Sequence, residues 1–289
     1  MIKNKLFNKT FSGLLEIIVS DHILVGCLQH IRLDDVLNLR STCKRIHSVP
    51  LNWYLHNVFE STYTEREKLT TIIVEKFCLN TSVWPVKVLP ILLQAQRVDI
   101  NQIDKDGNTP LCHATINGCT EVVNILILAK ANVSSNNKGW SPIIHATTKG
   151  YSAIVDILIA TNANINEITN NGFSPLMGAT CSGHSCIVDK LIKEGADVCL
   201  VDNNNWSALT YASKNGHSAI ADELISAGAD VHTSSKNSGK TALMYALQFG
   251  HKQIANNLVS AGADIHRIDN NGWSATQYMM IYGNGLNFS

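Results

Sequence analysis

The chain of 289 residues has no excess charge of either sign, because Lys plus Arg and Asp plus Glu each number 23. A protein that grips nucleic acid or an anionic membrane carries a basic stripe or patch, so this balance argues against both partners. No apolar run reaches the ~20 residues that a bilayer span needs. Lys3, Lys5 and Lys9 precede an apolar stretch in the manner of a secretory leader, but Ser12, Gly13 and Glu16 interrupt it. No small-x-small cleavage site follows, and the stretch is expected to belong to the mature protein.

Catalytic signatures are missing as well. There is no G-x-S-x-G, H-E-x-x-H, P-loop or G-x-G-x-x-G. The eight cysteines (Cys27, Cys43, Cys78, Cys112, Cys119, Cys181, Cys186 and Cys199) show no pairing rhythm. A chain of this size needs no covalent staples, so free thiols in the cytoplasm, of its own cell or of a host, are expected. With 45% hydrophobic and 16% charged residues, the chain has the means to bury a core.

What the sequence does have is a repeat. One column holds Gly118, Gly150, Gly183, Gly216, Gly250 and Gly283, at intervals of 32, 33, 33, 34 and 33 residues. Eleven residues earlier runs a second column: Gly107, Gly139, Gly172, Asn205, Gly239 and Gly272. Asn is the non-glycine residue most tolerant of the left-handed backbone region, so Asn205 implies that this column needs a positive φ.

A hydroxyl residue follows each of these turns by two positions: Thr109, Ser141, Ser174, Ser207, Thr241 and Ser274. That is a helix N-cap signature, strengthened by Pro110, Pro142 and Pro175 at the first helical position. A second helix is marked by apolar residues at helical spacing, Ile187, Val188, Leu191 and Ile192 in one copy, Ile220, Leu224 and Ile225 in another. It ends at Gly195, Gly228 or Gly262, with Lys130 and Asn162 in the earlier copies. Neither helix is long enough to make a core alone, so the units must stack.

A unit of about 33 residues with T-P-L, a central Gly-His and a closing Gly-Ala-Asp resembles the ankyrin repeat. The resemblance covers roughly residues 70–289 and implies an all-α solenoid of helix-turn-helix units with short hairpin loops. Residues 89–101 match the second half of a repeat, so a degenerate first repeat is expected over 70–101, followed by about six repeats. The last unit departs from the pattern, with Thr276 at the leucine position and the run Tyr278-Met279-Met280-Ile281. The array is assigned to residues 66–289.

The resemblance also implies protein binding on a concave face, without catalysis, by a monomer that needs no metal or cofactor. In ankyrin-like stacks the residue after the turn glycine points to that face. Here it is Asn108, Trp140, Phe173, Trp206, Lys240 and Trp273. Aromatic residues clustered on one face are worth about 2 kcal/mol or more each when buried in an interface. The alternative, that these rings pack on their own neighbours, stays open at this point. The helix-end positions Ile116, Asn117, Thr148, Lys149, Cys181, Ser182, Lys214, Asn215, Gln248 and Phe249 complete the expected face.

Residues 1–65 lack the repeat. Ile23, Leu24, Cys27, Leu28 and Ile31 keep helical spacing, and Asp34 or Asp35 can cap a second helix with Val36, Leu37, Leu39 and Cys43. The string Asp35-Val36-Leu37-x-Leu39-Arg40-x-x-Cys43-Lys44-Arg45 resembles the central helix of an F-box, and Pro50-Leu51-Asn52-Trp53 its closing segment. The family's opening Leu-Pro is Val19-Ser20 here. The resemblance implies docking on the Skp adaptor of a cullin–RING ubiquitin ligase through Ile23, Leu24, Leu28, Ile31, Val36, Leu37, Leu39 and Cys43. The array would then hold the substrate, making the chain a receptor that forms no covalent bond itself. A plain ankyrin scaffold or inhibitor with a helical cap is the other reading.

Two constellations imitate chemistry. Cys27-x-x-His30 and Cys43-x-x-x-His47 approach zinc-finger spacing, but both cysteines occupy apolar helical positions that the F-box resemblance already explains. Cys181 and Cys186 flank His184, yet His184, His217 and His251 belong to the Gly-His turn of the repeat.

Overall fold

A computed structural model describes residues 99–104, 106–134 and 139–282 of the chain. Five helix pairs and a final single helix follow one another among the described residues. The pairs are α1 (Pro110–Ile116) with α2 (Thr120–Leu128), α3 (Pro142–Lys149) with α4 (Ser152–Ala160), and α5 (Pro175–Cys181) with α6 (Ser185–Lys193). Next come α7 (Ala208–Asn215) with α8 (Ser218–Ser226), α9 (Ala242–Gln248) with α10 (Lys252–Ser260), and then α11 (Ala275–Tyr282). All of them are shorter than the ~12–15 residues at which an isolated helix becomes even marginally stable. Their stability therefore comes from stacking.

The helix starts follow from the hydroxyl column. Thr109, Ser174, Ser207 and Thr241 each accept a hydrogen bond from the backbone N–H three residues on, at 3.2–3.4 Å. Ser141 has the extended N-cap backbone, φ −92° and ψ 161°, but its hydroxyl makes no capping bond. Pro142 at the first helical position presets α3 without it. The turn column is left-handed as its composition implies, and Asn205 sits at φ 61°. Lys130 and Asn162, which replace the glycine after the outer helix in the first two copies, adopt φ 67° and 58°.

Odd-numbered helices form one row and even-numbered helices another, and the odd row is the more closely packed. The reason lies in a single column. Ala114, Ala146, Ala179, Ala212 and Ala246 are fully buried where successive odd helices meet. The equivalent contacts of the even row carry Leu126, Leu158, Leu191, Leu224 and Leu258. Small side chains bring the odd helices closer together, so this row lies on the inside of the curve. In α11 the alanine position is Met279, only partly buried, and the T-P-L leucine position of the inner helices is the half-exposed Thr276.

Short hairpins join the repeats. Asp104, Thr169, Asp202 and Asp269 donate their N–H to the carbonyls of Asn108, Phe173, Trp206 and Trp273 across each turn. Neighbouring hairpins are bonded to one another as well. The Asn203 N–H donates to the Asn171 carbonyl at 2.9 Å and the Asn203 side-chain amide to Asn170 at 3.1 Å. Asn270 repeats the arrangement with Ser238 and Asn237. The loop asparagines thus tie repeat to repeat, beyond shaping their own turns.

Candidate protein-binding face

The residues after the turn glycine do share one face, and a second column of rings supports them. Trp140 stacks on His145 with centroids 4.9 Å apart and lies 6.2 Å from Phe173. Phe173 meets Tyr211 edge-on at 5.7 Å, and Trp206 is wedged between Tyr211 at 5.1 Å and Tyr245 at 4.8 Å. Trp273 leans on Tyr278 at 5.5 Å and remains 36% exposed. Asn108, Trp140, Phe173, Trp206 and Lys240 are all half-buried. Each ring therefore offers part of its surface and spends the rest on the array.

The supporting column is His113, His145, Gly178, Tyr211, Tyr245 and Tyr278, one position per inner helix. Sequence reasoning missed it, although its spacing of 32–34 residues is as regular as that of the glycines. Its polar tips are anchored to the turns. Tyr211 donates to the Asp202 carboxylate and Tyr278 to that of Asp269, both at 2.8 Å, and His113 Nε2 lies 2.7 Å from Asp104 Oδ2. The same carboxylates accept backbone N–H groups of their own turns. Burial alone would raise the Asp104 and Asp269 carboxyls, but these hydrogen bonds outweigh it and hold both below the usual carboxylate range. Tyr211 and Tyr278 are pushed up, by burial and by the carboxylate each one bonds.

His145 differs from its counterparts. Its Nε2 is buried without a hydrogen-bond partner. Burial, then the charge of Lys149 and then that of His113, lowers its pKa to about 4, so the ring is neutral at physiological pH. In front of it lies an open cleft of about 430 Å³ walled by Trp140, Ile116 and Thr148, with Lys149 and Asp106 among its lining residues.

Cations complete the face. Lys214 Nζ sits 4.9 Å from the centre of the Trp206 ring. Lys240 Nζ donates to Gln248 at 2.8 Å and lies 5.1 Å from the Tyr278 ring. Phe249 is 49% exposed. The described cysteines, Cys112, Cys119, Cys181, Cys186 and Cys199, are free thiols. Cys181 receives an Asn215 side-chain N–H at 3.6 Å, and His184 is held as the cap of α6. No group of three or more His, Cys, Asp or Glu suited to a metal exists among the described residues. No described helix is long and apolar enough to cross a membrane. Ile23, Leu24, Leu28, Ile31, Val36, Leu37, Leu39 and Cys43, together with the Cys27/His30 and Cys43/His47 pairs, lie outside the described residues.

A family model described as ankyrin repeats (3 copies) matches three overlapping segments, residues 83–169, 128–202 and 176–269. No curated protein matches the chain. Ankyrin repeats are protein–protein interaction modules, in general scaffolds without enzymatic activity of their own. With well over half its length covered by the match, and with stacked pairs of short helices joined by hairpins, the chain belongs to the ankyrin repeat family.

Proposed function

We propose that this chain is a substrate receptor: its array holds a partner protein on the inner face, and residues 1–65 link that protein to a Skp/cullin-type ubiquitin ligase. The observation that carries the binding role is the single-register row of Trp140, Phe173, Trp206 and Trp273 beside Lys240, partly exposed and backed by a second column of rings. Rings immobilised in advance lose little entropy on binding, which is the property of interface hot spots. The ligase link is supported by the Asp35–Arg45 string and its resemblance to an F-box. The contribution of such a receptor is effective concentration, since it holds a substrate near the enzyme that modifies it.

The test of the link is capture of the full-length chain by a purified Skp adaptor, compared with the double variant L28D/L39D. Capture of the parent and loss in the variant support it. Equal capture of both, or of neither, removes the F-box assignment and leaves the second reading, an ankyrin scaffold or inhibitor in which Ile23, Leu24, Leu28 and Val36 cover the start of the array.

A further inference from the structure

The chain as a whole is neutral, but its charges are not evenly spread. On the inner face the lysines beside the aromatic row are Lys149, Lys214 and Lys240, and the exposed carboxylate of Asp106 shares the Trp140 cleft with Lys149. None of the three makes an ion pair among the described residues. The nearby carboxylates of Asp104, Asp202 and Asp269 are already engaged by the turns and by His113, Tyr211 and Tyr278. Acidic groups gather on the opposite side, on the outer helices, where Asp156, Asp189, Asp222 and Glu223 stand. Two lysines of that side, Lys190 and Lys193, are paired with Asp156 and Asp189. The inner face therefore presents cations interleaved with partly exposed aromatic and apolar surface.

From this charge complementarity we propose that the partner is recognised through an acidic, extended segment lying along the inner face, with carboxylates at Lys149, Lys214 and Lys240 and apolar side chains between them. The inference rests on the reading of this face as the binding surface, and not on the ligase link. The cleft of about 430 Å³ at Trp140 and Ile116, with Lys149 among its lining residues, suits one large apolar side chain flanked by a carboxylate. Asp106 lines the same cleft, which places the segment's charge on the Lys149 side. Lys240 spends one donor on Gln248 and Lys214 stands over Trp206, so both ammonium groups are held in position for an incoming anion.

Single-stranded nucleic acid is also anionic and stacks on aromatic rings. The geometry disfavours it. A base needs a free ring face, whereas Trp140 is stacked on His145, and Trp206 lies between Tyr211 and Tyr245 under the Lys214 ammonium. Three lysines also make a weak electrostatic footprint for a polyanion.

The experiment is selection of a random dodecapeptide phage library on the immobilised full-length chain and on its K149E/K214E/K240E variant. Enriched peptides rich in Asp and Glu with interspersed Leu, Phe or Trp are expected on the parent. A representative synthetic peptide should lose at least about tenfold in affinity on the variant and weaken as salt rises. Enrichment without acidic bias, or no enrichment at all, overturns the proposal. So does tighter binding of an oligothymidylate than of the selected peptide. A W206A variant separates the two levels of the reading. If acidic peptides bind W206A and the triple variant as well as the parent, the inner-face assignment itself fails. If W206A weakens binding but the lysine reversals do not, only the charge argument fails.

Discussion

The imidazole of His217 lies directly against the backbone of Gly183 in the preceding repeat, so close that a Cβ at position 183 would sit 2.8 Å from His217 Cε1. The relationship recurs. A Cβ at Gly150 would meet the His184 ring, one at Gly216 the His251 ring, and one at Gly118 the Tyr151 ring. In Gly183-His184 and Gly216-His217 the glycine is thus the socket for a ring of the next repeat, and the histidine ring is the plug for the glycine one repeat earlier. Gly183 is needed twice over, for its φ of 77° and for the space above it.

That double need predicts a difference between two glycines with similar backbone. Gly228 has φ 87° and nothing within 4 Å of its missing Cβ. Gly228→Ala should cost about 1–2 kcal/mol, the strain of a left-handed residue alone. Gly183→Ala should cost clearly more, because the His217 ring must also move. Urea unfolding of the two variants measures the gap. Equal costs would mean that the ring contact carries no energy.

The capping hydroxyls provide a second contrast. Ser174→Ala removes a hydrogen bond to the Met177 N–H and should destabilise by about 1 kcal/mol. Ser141→Ala removes a buried hydroxyl without a partner and should be neutral or slightly stabilising. Thermal denaturation midpoints order the pair.

His145 makes stability depend on pH in a defined window. Its folded pKa of about 4 lies below the ordinary 6.5, so the unfolded chain binds the proton first as pH falls. The contribution of the neutral ring is fully present above pH 6.5, declines from there, and is exhausted near pH 4. His145→Phe should flatten the loss of stability across that interval. An NMR titration of the His145 ring protons with a midpoint near 6.5 would contradict the burial argument.

Gly178 interrupts the ring column in the middle of α5, where glycine costs a helix about 1 kcal/mol relative to alanine. A Cβ there would collide with the Thr148 hydroxyl, which is bonded to the Ile144 carbonyl at 2.7 Å. Gly178→Ala alone should therefore gain little or lose stability. In a Thr148→Ala background the same change should stabilise by about 0.5–1 kcal/mol. A double-mutant cycle by urea unfolding reads the coupling directly.

Much of the architecture was legible because ankyrin repeats are specified locally. The turn glycines, Asn205 at φ 61°, the hydroxyl caps and the Pro-led helices are each read from a few adjacent residues, and repetition multiplies the signal. Ser141 departs: its hydroxyl makes no capping bond, although Thr109 and Ser174, each likewise followed by a proline, do. The aromatic face was legible only as a column. The residues Trp140, Phe173, Trp206 and Trp273 could be placed in one register, while the extent of their burial could not.

The period, the helix pair in each unit and the single register of the aromatic row are written in the chain itself, since all three follow from backbone preferences and spacing within one repeat, while the side to which that row points came from the ankyrin resemblance. What crosses between repeats is set by the stacking. It set His217 over Gly183, bonded Asn203 to Asn170 and Asn171, and backed Trp206 with a tyrosine from its own repeat and one from the next. The physical reason is distance: partners about 33 residues apart meet only once short helices that cannot fold alone have stacked, and the curvature of the stack fixes which atoms touch.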